Sequence, residues 1–303
     1  MQSESNTTID KLFNRLLSLR TKKQSERVIL TFSIASYLVH LGLILLAYYG
    51  VIQSESKLLK SPIAAIYTPF SFILVYEVYL LIFFLTKSIS FYIGKQYEII
   101  TLIVIRRIFK DIGDLELASK WFNTQSDLQF MYDAITSLIL FLLIYFYYQN
   151  LKDRAETNDL SIGLEESKIK GFIRLKKTIS ILLVPVLLGV AAYTFADWLF
   201  AVGTDFGKGI VNFKNMNSIF FDEFFTILIV VDVLLLLASF FYSDKFHKII
   251  RNSGFIISTI LIKISFSTEG LVNNLLIIGA VLFGFLILLI HNKFENEGVM
   301  KKE

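Results

Sequence analysis

The chain has 303 residues, of which 54% are hydrophobic, and its mean hydropathy is +0.61. This composition excludes an ordinary soluble domain and is typical of polytopic helical membrane proteins. The formal net charge of +4 arises from lysines and arginines that face lipid headgroups, so no nucleic-acid partner is implied. The absence of cysteine excludes disulfides, thiolate metal sites and a cysteine nucleophile.

Residues 1–27 precede the first apolar run and predict a short amphipathic helix on the cytoplasmic side. Thr7 begins a pattern like a capping box. The alternative is a solvated stub with no membrane contact. The apolar residues at one-face spacing are Ile9, Leu12, Phe13 and Leu16, and the bases suited to the headgroup layer are Lys11, Arg15 and Arg20.

Six apolar runs follow that are long enough to cross a bilayer, which needs roughly 20 residues per helix. They are 28–51, 66–86, 130–149, 178–202, 219–242 and 271–291. Lipid offers backbone amides no hydrogen-bond partner, so each run is predicted to be a helix. The chain is therefore predicted to be an all-α, polytopic integral membrane protein.

Two weaker segments, 91–109 and 248–267, decide the topology because each has a polar start before an apolar end. If both cross, the chain has about eight transmembrane helices as two parallel four-helix repeats. If both only dip in or lie flat, it has six helices as two inverted three-helix repeats.

The distribution of basic residues favours eight crossings. That topology places 21 lysines and arginines on the inner side and eight on the outer side, whereas six crossings divide them 17 to 12. Both chain ends are then cytoplasmic. The predicted parts are a membrane repeat over 28–149, a cytoplasmic linker over 150–177, a second repeat over 178–291 and a cytoplasmic tail over 292–303.

Two pairs of segments indicate an internal duplication. The run FILVYEV at 72–78 matches ILIVVDV at 227–233, and each holds one acid, Glu77 or Asp232. Downstream, IITLIVIR at 99–106 matches IISTILIK at 256–263, with Arg106 and Lys263 at the equivalent position. Internal repeats of this kind are common in membrane transporters.

Charged groups inside these runs are the candidate site, because an ionisable group near the bilayer centre costs about 2.5–3.5 kcal/mol on insertion scales. One hypothesis is that Glu77 and Asp232 line a polar path for a cation or proton. A second is that Glu77 pairs with Arg106, and Asp232 with Lys263, to lock helix packing. A third is that each charged side chain reaches the interface independently from a lipid-facing position. Secondary candidates are His40, Asp133 and Asp197, for which a structural role is preferred.

These observations lead to an ion-conducting or ion-coupled transport protein for a cation or proton, with a non-catalytic membrane sensor or scaffold subunit as the alternative. We expect no enzyme activity, no cofactor and no metal site, because the three histidines lie in different segments. Besides the lipid bilayer, candidate partners are a second copy of the chain or another membrane protein. The expected location is a prokaryotic inner membrane.

The charge distribution generates a labelling prediction. A cysteine introduced at Ser161 should be shielded from an impermeant thiol reagent applied outside intact cells, whereas one at Asn215 should react, because the chain has no cysteine of its own. Labelling of the Ser161 variant from outside would support the inverted six-helix topology instead.

Overall fold

The computed structural model describes residues 8–51, 64–114, 125–151, 163–204, 209–242 and 246–300. Every long element in these residues is an α-helix. The helices are α1 (Thr8–Leu16), α2 (Leu19–Tyr48), α3 (Tyr67–Phe84), α4 (Ile89–Asp114), α5 (Gln125–Gln149), α6 (Gly163–Thr204), α7 (Gly209–Tyr242), α8 (Phe246–Ser265) and α9 (Gly270–Met300).

Four stretches of the described chain are long and apolar enough to cross a membrane, which identifies a membrane-embedded protein. They are Thr8–Tyr48, Asp127–Gln149, Asp222–Phe241 and Gly270–Glu297, and α3 supplies a shorter apolar helix. Most apolar side chains of α2 are exposed, and these surfaces suit contact with lipid acyl chains.

The two weaker segments of the sequence form complete helices, α4 with 26 residues and α8 with 20. At 1.5 Å per residue they extend about 39 Å and about 30 Å. Along α8, Gly254 packs on Ile287 of α9 and Ser258 donates to the Ala280 carbonyl oxygen at 2.7 Å. Antiparallel α8 therefore follows α9 through most of an apolar span.

Helices α4 and α5 are also antiparallel neighbours. The Tyr147 hydroxyl donates to the Ser90 carbonyl oxygen at 2.7 Å near one end, and Arg107 forms an ion pair with Asp133 near the other. Helix α4 therefore accompanies α5 through its apolar span, as α8 accompanies α9.

Contacts between the two helix pairs fix their relative directions. Asn292 of α9 donates to the Asn150 carbonyl oxygen just after α5 at 2.7 Å, and Asn274 donates to Asp133 of α5 at 2.7 Å. The two contacts join residues 142 and 141 positions apart in the sequence. Because this separation is nearly constant along both helices, α5 and α9 run parallel. Because α4 and α8 are antiparallel to α5 and α9, respectively, they are parallel to each other.

Helix α1 is present where the amphipathic helix was predicted, and it packs on α6. Asp10 forms an ion pair with Lys177 of α6 at 2.8 Å, and Leu17, just after α1, is only 1% exposed. The predicted cap, Thr7, lies outside the described residues. Ser18 caps the next helix by accepting from the Thr21 backbone amide at 3.1 Å.

Three helices begin at least nine residues earlier than hydropathy predicted. Helix α2 begins at Leu19, α7 at Gly209, and α6 at Gly163, inside the predicted linker over 150–177. In α6 the added residues are rich in Glu, Lys and Leu, which favour helix whether or not they contact lipid. Hydropathy marks the membrane-embedded part of a helix, while the helix itself extends into the polar surroundings.

A close approach of α4, α8 and α9 depends on Gly284. The Tyr97 hydroxyl of α4 lies against this glycine and forms a hydrogen bond with the Ser258 hydroxyl of α8 at 2.8 Å. A Cβ atom added at Gly284 would lie 1.7 Å from the Tyr97 hydroxyl oxygen. Only glycine leaves room for the tyrosine here.

Gly284→Ala should therefore destabilise the protein by about 1–3 kcal/mol, the usual range for overpacking a core. The matched control is Gly279→Ala on the same helix, where an added Cβ meets nothing within 4 Å. Thermal unfolding in detergent measures both variants. Equal melting temperatures for the two variants would contradict the close packing of Tyr97 on Gly284.

Candidate functional site

Asp232 lies near the middle of the apolar span Asp222–Phe241 of α7 and is 6% exposed. Gln96 of α4 donates to its Oδ2 atom through Nε2 at 3.1 Å. Thr259 of α8 donates in turn to the Gln96 Oε1 atom at 2.8 Å. The carboxylate is therefore held by a hydrogen-bond chain that joins three helices.

A small cavity of about 20 Å³ borders Asp232, which is room for about one water molecule. Tyr92 of α4 lines this cavity and interacts with the carboxylate, and Asn252 of α8 provides another polar side chain. The remaining wall is apolar and is formed by Leu85, Ile89, Ile93, Leu235, Leu236, Phe255 and Ile256.

Glu77 of α3, the proposed repeat equivalent of Asp232, occupies a different environment. It is half-buried and lies near charged groups of both signs. Its charged neighbours are Glu98, Lys95, Lys22 and Glu26. Lys95 and Glu98 also form an ion pair with each other at 2.8 Å.

The two acids pack against the same turn of α4 from different sides. Asp232 contacts Gln96, whereas the charges near Glu77 come from Lys95 and Glu98. At 3.6 residues per turn, these two residues lie about 100° and about 160° around α4 from Gln96. The structure therefore does not bring Glu77 and Asp232 to one polar path.

Lys263 forms an ion pair with Asp222, at the beginning of the apolar span of α7. Asp222 is about 15 Å along the helix from Asp232 at 1.5 Å per residue, so a lysine bound there cannot also contact Asp232. The pairing of Asp232 with Lys263 considered from the sequence is therefore wrong. The pairing fails because Lys263 and Asp232 lie at different depths in the helix bundle.

Arg106 of α4 is buried at 6% exposure. It lies about 16 Å along α4 from Lys95, the basic residue of α4 beside Glu77. Glu77, beside Lys95, and Arg106 therefore lie at different depths along α4, which contradicts the hypothesis that they pair. Glu77 instead belongs to the mixed charges at the Lys95 end of α4.

A second polar cluster, the Arg107 cluster, joins α4, α5 and α9. Its members are Arg107, Gln129, Asp133, Asn273 and Asn274. The Asp133 side chain is 0% exposed; Nη2 of Arg107 donates to its Oδ1 at 3.2 Å, and Nε of Arg107 lies 3.1 Å from its Oδ2 as an ion pair without hydrogen-bond geometry. Gln129 and Asn274 also donate to Asp133, and Arg107 donates to both asparagines. The ion pair compensates the buried charge, and the cluster as a whole connects three helices.

The remaining candidates do not extend either site. His40 of α2 forms a hydrogen bond with the Thr68 hydroxyl of α3 at 2.6 Å, which is a packing contact between neighbouring helices. Asp197 belongs to α6, but its side chain lies outside the described residues. Among the residues that the structure describes, no group of three His, Asp or Glu side chains could hold a metal ion.

Sequence reasoning missed the neutral members of both sites. Gln96, Thr259, Asn273 and Asn274 are all buried, yet none carries a charge. Their signal in the sequence is an amide or hydroxyl residue within an apolar helix, most visibly the adjacent pair Asn273-Asn274. Such residues hydrogen-bond across helices in membranes.

No protein-family model, curated protein or solved structure matches this chain. The functional interpretation therefore depends on the geometry of the described residues.

The Arg107 cluster predicts a thermodynamic coupling. Asp133→Asn should destabilise the protein by about 3–5 kcal/mol, because it leaves the Arg107 charge without its carboxylate. Adding Arg107→Gln should restore part of this stability. Melting temperatures of the single and double variants in detergent measure the coupling.

The control is Glu98→Gln, which breaks the more exposed Lys95–Glu98 pair and should change the free energy of unfolding by at most about 1 kcal/mol. Additive effects of Asp133→Asn and Arg107→Gln would show that the two side chains are not energetically coupled.

Proposed function

We propose that the chain is an integral membrane protein of ion-coupled or ion-conducting transport, in which Asp232 binds a proton or cation. The observation that carries this proposal is a carboxylate in the middle of an apolar span whose hydrogen-bond donor in the described structure, the Gln96 amide, is neutral. A carboxylate that served packing alone would be expected to pair with a base. Ionisable groups at this depth mark ion pathways in other membrane proteins.

The packing order of the helices supports an architecture of two parallel four-helix repeats, α2–α5 and α6–α9. Within each set, consecutive helices pack on one another, and contacts between the sets include α4 with α8 and α5 with α9. The parallel directions of α5 and α9 fit a pseudo-twofold axis along the membrane normal. Inverted three-helix repeats would relate equivalent helices by an axis in the membrane plane.

The position of Asp232 fits this architecture. The acid belongs to α7 of the second set, and its donor Gln96 belongs to α4 of the first. Transporters built from repeats hold their coupling ions near the bilayer midplane at the repeat interface. A change in the packing of α7 against α4 would alter the environment of Asp232 directly.

A second candidate function is a non-catalytic sensor or scaffold subunit that binds lipid, a second copy or another membrane protein. It is favoured by the ion pairs of Arg107 with Asp133 and of Lys263 with Asp222, since both connect neighbouring helices. The cavity beside Asp232 also has room for only about one water molecule. For either function we propose a prokaryotic inner membrane as the location.

The deciding experiment measures flux in reconstituted liposomes under imposed proton, Na⁺ and K⁺ gradients of both polarities. Asp232→Asn should abolish flux, because the amide keeps an oxygen that can accept from Gln96 but binds no ion. The matched control is Glu223→Gln on the same helix, where the side chain is exposed and flux should be retained.

Folding of each variant is checked by size-exclusion elution and melting temperature before flux is compared. Wild-type protein that inserts and carries none of these ions under any gradient would contradict the transport function and favour the scaffold. Full flux in a well-folded Asp232→Asn variant would remove Asp232 from the pathway.

A further inference from the structure

We infer that the ion bound by Asp232 is a proton and not a metal cation. The inference rests on the proposed transport function and adds the identity of the ion. Its basis is the direction of the hydrogen bonds around the carboxylate. A metal cation needs several oxygen ligands, whereas a proton needs only the carboxylate.

The Gln96 amide presents the wrong atom for a cation. Its Oε1 accepts from the Thr259 hydroxyl at 2.8 Å, and its Nε2 donates to Asp232 at 3.1 Å. The reversed amide would place its oxygen against an ionised carboxylate oxygen, which is repulsive. The amide nearest to Asp232 therefore offers an N–H group, which stabilises a carboxylate and repels a metal ion.

Asn252, the other amide at the cavity, is oriented in a similar way. Its Oδ1 accepts from Nε and Nη2 of Arg251 at 3.2 and 3.0 Å. The amide oxygen is thus occupied by a permanently charged donor, and the nitrogen is the remaining polar atom of the side chain. The Arg251 charge near this side of the cavity also disfavours a second cation.

Backbone carbonyl oxygens of the surrounding helices do not supply the missing cation ligands. Transporters that bind Na⁺ often use carbonyl groups from unwound helix segments. Here α4, α7 and α8 are continuous helices along the site, and their carbonyl groups are engaged in intrahelical hydrogen bonds. Of the lining residues, Leu85 alone lies outside these helices, in the connection between α3 and α4. The side-chain oxygens left to face a bound ion are those of Asp232 and Tyr92, too few for an ordinary Na⁺ or Ca²⁺ shell.

A proton suits the same surroundings. Binding converts the carboxylate to a neutral carboxylic acid, which an apolar wall tolerates better than a charge. The cavity of about 20 Å³ has room for one water molecule, which could donate or receive that proton. No other ligand is required for the bound state.

Infrared difference spectroscopy of the intact protein in detergent tests protonation directly. Wild-type protein should show a carbonyl stretch of a protonated, buried carboxyl group at acidic pH that disappears at alkaline pH. Asp232→Asn should lack this band and Glu223→Gln should retain it. Exchange of K⁺ for Na⁺ or Ca²⁺ at constant pH should leave the wild-type band unchanged.

Tyr92→Phe provides a second variant should Asp232→Asn fail to fold. Loss of the tyrosine hydroxyl should shift the frequency of the band, because the carboxyl group loses a neighbouring hydroxyl dipole at the cavity. Absence of any protonated carboxyl band at any pH in wild-type protein would overturn the inference. Removal of the band by added Na⁺, K⁺ or Ca²⁺ at constant pH would also overturn it, since that cation would compete for Asp232.

Flux measurements then separate this inference from the transport function. Proton flux without Na⁺ and K⁺ that is lost in Asp232→Asn would support both. If wild-type protein carries Na⁺ or K⁺ but no protons, and Asp232→Asn abolishes that flux, the transport function stands and the proton is excluded as the transported ion. A carboxyl band assigned to Asp232 in a protein without flux would support proton binding and overturn transport.

Discussion

Burial of polar groups among apolar helices is the constraint on which the rest of this structure depends. Each buried donor or acceptor without a partner in hydrocarbon costs several kcal/mol, so the helices that carry such groups pack in the interior. Helices α4 and α8 have the buried Gln96, Ser258 and Thr259, and their hydrogen bonds cross from one helix to another. The most apolar helix surfaces, including those of α2, remain free to contact lipid.

The two polar sites satisfy this constraint in different ways. In the Arg107 cluster, a base and an acid neutralise each other and three amides add hydrogen bonds. At Asp232, the Gln96 amide donates a hydrogen bond but supplies no opposite charge. The first arrangement lowers the energy of one fixed charge state, whereas the second leaves the charge of the carboxylate responsive to its surroundings. This difference separates a structural cluster from a candidate ion site.

Hydropathy located the apolar part of each helix but not where the helix begins, because about twenty apolar residues are needed to cross lipid while polar residues can extend the same helix beyond it. It also identified Asp232 and Glu77, since a charge is conspicuous in an apolar run. It could not identify partners. A shift of one residue turns a side chain by about 100° around its helix, and neither this rotation nor the relative depth of two helices follows from hydropathy. Lys263 accordingly contacts Asp222 and not Asp232.

The tyrosine seated on Gly284 limits how the helices can move. Because the Tyr97 hydroxyl occupies the space that a Cβ atom would fill, neighbouring residues of α9 would collide with the ring if α4 slid along the helix axis. Shear between these two helices is therefore blocked, and rotation about a hinge elsewhere is left as the accessible motion. Any conformational cycle would carry α4 and α9 as one rigid body, with strain concentrated in the connections to their neighbours.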